Sequence, residues 1–81
     1  MTSSKLTLRL ARPAEATAIA SLSRDLIEYG LPWRWTPMRV AASIRAAEVN
    51  VLVARIHGKI AGFAIMRYGE DDAHLDLLAV A

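Results

Sequence analysis

The chain has 81 residues, a length that provides for one small domain and not for several. Hydrophobic residues make up 54% of it, which excludes a disordered protein. The chain has no cysteine, which excludes a disulfide framework, and its two histidines are too few to predict a zinc site. Ten basic and eight acidic residues give a net charge of +2, and they are scattered, so no basic stripe indicates nucleic acid.

No apolar run approaches the ~20 residues that a membrane-spanning helix requires. The first ten residues, MTSSKLTLRL, also lack the long apolar core and the cleavage pattern of a signal peptide. The sequence therefore predicts a soluble cytoplasmic protein with neither a membrane nor a nucleic acid as its partner.

Alternating leucines predict a first strand over Leu6 to Leu10 with one buried face.

A helix is predicted from Ala14 to Tyr29, after a proline that suits a first helical turn. Its apolar face consists of Ile19, Leu22, Leu26 and Tyr29, at helical spacing. Gly30 is predicted to close the helix with a left-handed residue. Arg24 and Glu28 lie four apart, so they are predicted to pair on the solvent side.

The next segment, LPWRWTP at Leu31 to Pro37, reads as a loop with unusual aromatic content. It ends in Thr36-Pro37, which combines an N-cap residue with proline at the first helical position. A short second helix is therefore predicted over Met38 to Ala47, and its apolar side carries Val40, Ile44 and Ala47.

Three further strands are predicted at Val49 to Ile56, Lys59 to Arg67 and His74 to Ala81. His57-Gly58 forms a tight hairpin between the first two, and the polar run from Gly69 to Asp72 forms the second turn. The order is thus β-α-α-β-β-β, which predicts an α+β domain over residues 1–81 with a mostly antiparallel four-strand sheet and two helices. The strands are apolar at most positions, a pattern typical of a sheet with both faces covered.

This order resembles the N-terminal half of the GCN5-related N-acetyltransferases. The matching stretches are LTLRLARPAEATAIASLSRDL, VLVARIHGKIAGFAIMRYG and HLDLLAVA, which together cover nearly the whole chain. The family's R/Q-x-x-G-x-G/A loop, whose backbone holds the cofactor pyrophosphate, would begin at Ala81 and is not present. The resemblance therefore implies a partial acetyltransferase-like domain that lacks the C-terminal cofactor-loop half.

The activity that the resemblance implies is acyl transfer from acetyl-CoA to an amine acceptor. Without the pyrophosphate loop, we expect the isolated chain to be inactive and to bind acetyl-CoA weakly or not at all. The alternative is a non-catalytic, truncated half-domain that acts as a self-associating or partner-binding module. In either case the apolar strand at residues 74–81 would present an unpaired edge, which predicts a homo-oligomer formed through that edge.

The resemblance also assigns roles on the last strand. The backbone of Leu78, Ala79 and Val80 would pair with the pantetheine arm and polarise the thioester carbonyl. His74 and Asp76, two apart on one face, would serve as the base or bind the acceptor amine. The alternative is an ordinary strand, with an exposed histidine and an aspartate that only neighbouring backbone satisfies.

For the acceptor site, the resemblance points to Tyr29, Trp33 and Trp35 around the loop between the helices. An aromatic wall suits a hydrophobic or aromatic acceptor, or a cation over a ring face. The alternative is that the tryptophans cap the core, and for Tyr29 a core position is the favoured interpretation. Arg34 either contacts an acidic acceptor or is simply exposed, and the acidic run 70–72 reads as a solvated turn rather than a metal site.

Overall fold

The computed structural model describes residues 5–81, so the first four residues of the predicted domain 1–81 lie outside it. The elements are β1 (Leu6–Leu10), a 3-10 turn (Pro13–Glu15), α1 (Ala16–Leu26), α2 (Pro37–Arg45), β2 (Val49–Ile56), β3 (Lys59–Tyr68) and β4 (Ala73–Val80). The predicted α+β class and the order β-α-α-β-β-β are therefore confirmed. No helix within residues 5–81 is long and apolar enough to cross a membrane.

The four strands form one antiparallel sheet in the order β1-β2-β3-β4. The turn between β2 and β3 is the predicted two-residue hairpin, in which His57 and Gly58 have φ values of 52° and 79°. Two consecutive positive φ values define a type I′ turn, whose twist matches that of the flanking strands. The turn sets the first two pairs, Ile56 with Lys59 and Arg55 with Ile60, and an extra residue in β3, Ala61, then shifts the pairing by one residue from Ala54 onward.

Both helices pack on one face of the sheet, and the core lies between these two layers. The buried side chains of β2 and β3 all point to this covered face, at 3% exposure or less: Val51, Val53, Phe63 and Ile65. From the helices, Ile19, Ala20 and Val40 meet them with no exposed surface. Side chains point to alternate faces along a strand, so the side chains of the residues between these core positions lie on the opposite face of the sheet.

The opposite side of the sheet, called the open face below, carries apolar side chains that nothing within residues 5–81 covers. It includes Leu6, Leu8, Leu10, Leu78 and Val80, which are 59–76% exposed. The prediction that the leucines of β1 form a buried face is wrong. In β1 it is Arg9 that interacts with the helix layer, because its guanidinium pairs with Glu15.

The buried face of α1 matches the predicted one only in part: Ile19 is buried and Leu22 packs, partly buried, against the core. Its buried residues are Ala16, Ile19, Ala20 and Ser23. Small side chains let the helix approach the sheet closely. The buried face therefore includes small residues that the prediction, based on large apolar residues, left out. Leu26 and Tyr29 are exposed, and the favoured core position of Tyr29 is wrong, since that residue is 85% exposed.

The end of α1 comes earlier than predicted. The helix stops at Leu26, and Gly30, with φ of 77°, lies in the following turn, where the Leu31 N–H donates to the Glu28 carbonyl. By contrast, α2 begins as predicted: the Thr36 hydroxyl accepts a hydrogen bond from the Arg39 N–H at 3.4 Å, and Pro37 is the first helical residue.

Candidate functional site

A pocket of about 290 Å³ opens on the covered side, between the end of α1, the loop that follows it and β4. Its lining residues are Ile27, Glu28, Leu31, Pro32, Arg34, Trp35 and Leu77. Most of these side chains are apolar, and the two ionisable ones have opposite charge. The volume is at the lower end of the range for small-molecule sites, so the pocket suits a small ligand.

Glu28 holds the loop that forms the pocket. The side chain is buried, with 7% of the residue exposed, and its carboxylate accepts hydrogen bonds from the Ser23 hydroxyl at 2.8 Å and the Arg34 N–H at 2.7 Å. The Trp35 N–H lies 3.3 Å from both of its oxygens. Burial by itself would raise the pKa of Glu28, but these hydrogen bonds and the charge of Arg39 outweigh it, so the pKa is lowered. The predicted solvent pair of Arg24 and Glu28 is therefore wrong, and Arg24 pairs with Asp25 instead.

The three aromatic candidates lie in three different environments. Trp35 lines the pocket, packs against the core and has the Arg39 guanidinium 3.9 Å from its ring centroid. Trp33 is tied to α1, because its indole N–H donates to the Ala20 carbonyl at 3.2 Å. Tyr29 is exposed and does not line the pocket. The structure thus places one of the three, Trp35, in the pocket wall.

The two candidate bases, His74 and Asp76, lie in the first half of β4, where the pairing of β4 with β3 is irregular. Leu75 pairs with Met66 and Leu77 with Ile65, so Asp76 is an extra residue, as in a β-bulge. The Asp76 carboxylate lies 3.5 Å from the Arg67 guanidinium.

The other candidate base, His74, has a different partner. Its Nε2 lies 3.3 Å from the carboxylate of Asp72, so the structure pairs His74 with Asp72 and not with Asp76.

The second half of β4 is regular, and its outer edge has no neighbouring strand within residues 5–81. The Ala81 N–H donates to the Ala61 carbonyl at 2.7 Å. Backbone groups alternate between the two edges of a strand, so those of Ala79 also point to β3, whereas those of Leu78 and Val80 point to the free edge. The close approach of the Ala79 carbonyl to Gly62, where a Cβ would meet it at 2.7 Å, agrees with this pattern.

A second buried carboxylate, Glu15, joins β1 and β2 to the start of α1. It pairs with the guanidinium groups of Arg9 at 2.9 Å and Arg55 at 2.7 Å, and it accepts the Arg12 N–H at 2.8 Å. Burial raises the pKa of Glu15, but these hydrogen bonds more than offset it and lower the pKa to about 2. With both oxygens occupied, Glu15 acts as a structural tie between the layers.

Two other features offer no chemistry for a site. A pocket of about 240 Å³ beside α2 is lined by side chains of which Asn50 alone is polar, and none is ionisable. The acidic residues 70–72 are exposed, and residues 5–81 contain no cluster of histidine and acidic side chains suited to a metal ion.

The arrangement combines a free strand edge with an adjacent small pocket. Leu77 contributes a side chain to the pocket, and the next residue, Leu78, presents its backbone to the edge. An extended ligand with amide groups can pair with such an edge as an added strand does. A second ligand in the pocket would then lie beside the first, which is the geometry for transfer of a group between two molecules.

Comparisons with known proteins show an N-acetyltransferase-like fold. A crystal structure of ribosomal-protein-alanine N-acetyltransferase from Brucella melitensis biovar Abortus 2308 superposes with a TM-score of 0.71 at 17% identity. The match covers 93% of this chain and 56% of the other, so the chain spans little more than half the length of that neighbour. No protein-family model matches the sequence, and no curated protein does.

The sequence did not reveal the roles of the two buried glutamates. Glu15 had a usable signal, because Pro13 starts a helical turn and an acidic residue at the third position often accepts the first free N–H. Glu28 had a weaker signal: it comes two residues before Gly30, which is followed by a seven-residue loop whose N–H groups need acceptors. Its partners Arg34 and Trp35 lie six and seven residues away, beyond the reach of helix-pair rules.

Proposed function

We propose that the chain supplies the N-terminal part of a cytoplasmic N-acetyltransferase that uses acetyl-CoA and an amine acceptor. The observation that carries this proposal is the free edge at Leu78 and Val80 directly beside the pocket that Leu77 lines. The fold likeness to an N-acetyltransferase supports it.

When bound, acetyl-CoA supplies the acetyl group as a thioester. The backbone groups of Leu78 and Val80 at the free edge hold the pantetheine arm, and an N–H there polarises the thioester carbonyl. The amine nitrogen would take the acetyl group from sulfur, so that a C–N bond forms, the C–S bond breaks and coenzyme A leaves as its thiolate. Asp76 takes the proton that the amine loses, and His74 is the alternative base.

The residues present fit only part of this cofactor. The strand edge provides donors and acceptors for the amide groups of the pantetheine arm. The four glycines of the chain lie apart, at positions 30, 58, 62 and 69, and form no cluster that could hold a pyrophosphate. We therefore propose that residues outside 1–81 complete the cofactor site and that this chain alone binds acetyl-CoA weakly.

The test has two parts. The coding sequence downstream of Ala81 is read for an in-frame R/Q-x-x-G-x-G/A segment, and the protein with that extension is assayed for acetyl transfer by mass spectrometry. Asp76→Asn should then lower kcat with little change in KM, whereas Asp71→Asn in the exposed turn should change neither. A stop codon after Ala81, or no transfer to any amine by the extended protein, would refute the proposal.

A second candidate function is a self-associating module, which the open face and the free edge favour. The bulge at Asp76 interrupts pairing only in the first half of β4, and the residues after it could pair with a second copy. We propose a two-fold dimer joined through residues 74–81. Light scattering after size exclusion should show a mass above 8.9 kDa that rises with concentration, and a concentration-independent monomer would contradict it.

A further inference from the structure

We infer that the pocket beside β4 selects an amine acceptor that carries a compact apolar side chain and a free carboxylate, as an apolar amino acid does. This inference rests on the proposed function, because it names the substrate class of the same site. It depends on three observations: the apolar walls, the charge that the loop leaves available, and the cations already stacked on the tryptophans.

The walls of the pocket favour an apolar group of limited size. Ile27, Leu31, Pro32 and Leu77 line it together with the ring of Trp35. A volume of about 290 Å³ holds a side chain such as that of leucine with the amino acid backbone, and it is too small for a long peptide segment. Burial of such a side chain supplies binding free energy in proportion to the apolar area removed from water.

The charge available to a ligand is positive. Both oxygens of Glu28 accept hydrogen bonds from the protein, so this carboxylate has little capacity left for an ammonium group. Arg34 lines the pocket, is exposed, and makes no ion pair with any carboxylate of residues 5–81. Its backbone is fixed by Glu28, so the guanidinium extends from a rigid point and suits a carboxylate, which it can bind in two-pronged fashion.

A cationic acceptor group over an aromatic ring, one of the alternatives from the sequence, fits less well. Arg39 already lies 3.9 Å from the ring centroid of Trp35, and Arg24 lies 5.4 Å from that of Trp33. A further cation would meet Arg34 in the pocket wall and Arg39 on the ring of Trp35, and both would repel it. The carboxylate of the acceptor therefore binds at Arg34, and its amine is directed to the β4 edge.

The experiment measures binding without the cofactor. Trp33→Phe leaves Trp35 as the only tryptophan, so its fluorescence reports on the pocket wall. The probes are N-acetyl-L-leucinate, the neutral N-acetyl-L-leucinamide and N-acetylglycinate, which are the product of the proposed reaction and two analogues of it. Each is titrated into the Trp33→Phe protein, into the same protein with Arg34→Gln, and into one with Arg45→Gln, a matched exposed arginine outside the pocket.

We expect the leucinate to bind about fivefold more tightly than the leucinamide, given an exposed guanidinium–carboxylate pair. Arg34→Gln should reduce this ratio below about twofold, and Arg45→Gln should leave it unchanged. The glycinate should bind about tenfold more weakly than the leucinate, because it lacks the apolar side chain.

Equal binding of acid and amide, an unchanged ratio in Arg34→Gln, or no fluorescence response to any probe would overturn the inference. Failure of the proposed function has a different signature. In that case the leucinate binds with the stated selectivity, but the extended protein transfers the acetyl group of acetyl-CoA to no amine, leucine included.

Discussion

The two faces of the sheet have similar composition and opposite environments. On the covered face, Val53 and Ile65 have no exposed surface. On the open face, Leu8 and Val80 are 68% and 76% exposed, although they are equally apolar. The difference comes from the helices, which both pack on one side. An apolar strand pattern therefore shows that a face requires a cover, while the placement of the helices decides which face receives it.

The strongest test of this contrast compares one buried and one exposed side chain. Ile19→Ala removes a fully buried side chain between α1 and the sheet and should lower the free energy of unfolding by about 2–5 kcal/mol. Urea unfolding followed by circular dichroism measures it. Leu8→Ala on the open face is the control and should change stability by less than about 0.5 kcal/mol. Equal losses would mean that the open face is covered in solution.

Acid sensitivity tests the polar tie on the covered side. The folded pKa of Glu15 is about 2, below its ordinary value of 4.5, so its stabilising contribution is complete above pH 4.5 and is lost as pH falls towards 2. The loss should be on the order of 3 kcal/mol over that window. In Glu15→Gln the profile should be flatter but not level, because the pKa of Glu28 is also lowered. The same acid slope in both proteins would disprove the role of Glu15.

Removing the Glu28 charge in the loop beside the pocket should lower the free energy of unfolding by less than the two changes above. Glu28→Gln keeps the shape of the side chain but weakens the charge-assisted bonds to Ser23, Arg34 and Trp35, so we expect a loss of about 1–2 kcal/mol. Glu48→Gln, at an exposed position, is the matched control. Loss of fixed Trp35 geometry should also appear in the near-ultraviolet dichroism of Glu28→Gln. Identical behaviour of the two variants would show that Glu28 does not hold the loop.

The smallest effect on stability should come from a polar substitution on the open face. Leu78→Thr keeps the β-propensity of β4 and should leave the free energy of unfolding within about 0.5 kcal/mol. It should nevertheless weaken self-association, because it removes apolar surface from the exposed patch. Light scattering over a concentration series measures this, with Thr7→Ser on the other edge strand as control. Unchanged association would exclude the open face from the contact.

Much of the fold could be predicted because its signals are local. The hairpin at His57-Gly58 and the cap at Thr36-Pro37 need only neighbouring residues, and both are found where the sequence indicates them. The face of α1 could not be predicted in the same way. Helical spacing fits both the stripe of large residues through Leu22 and the stripe of small ones through Ala20, and close packing on the sheet selects the second.

The site was harder to predict than the fold, since its parts are joined by contacts distant in sequence. The family resemblance directs attention to the end of β4 and the aromatic loop, and those two regions do meet at the pocket, through Leu77 and Trp35. The resemblance could not indicate that Trp35 lines the pocket and Tyr29 does not, because their positions depend on where α1 ends. The pairing of Glu28 with two backbone N–H groups of the loop likewise exists only in the folded chain.

The central claim is that the free edge of β4 is where the acetyl donor binds. Nuclear magnetic resonance of the ¹⁵N-labelled chain, titrated with acetyl-CoA to millimolar concentration, tests it most directly. We predict that the amides of Leu78 and Val80 shift most and that Ala79, bonded to β3, shifts less, with a Kd well above micromolar. Unmoved β4 amides, or micromolar or tighter binding that shifts residues elsewhere, would contradict the account.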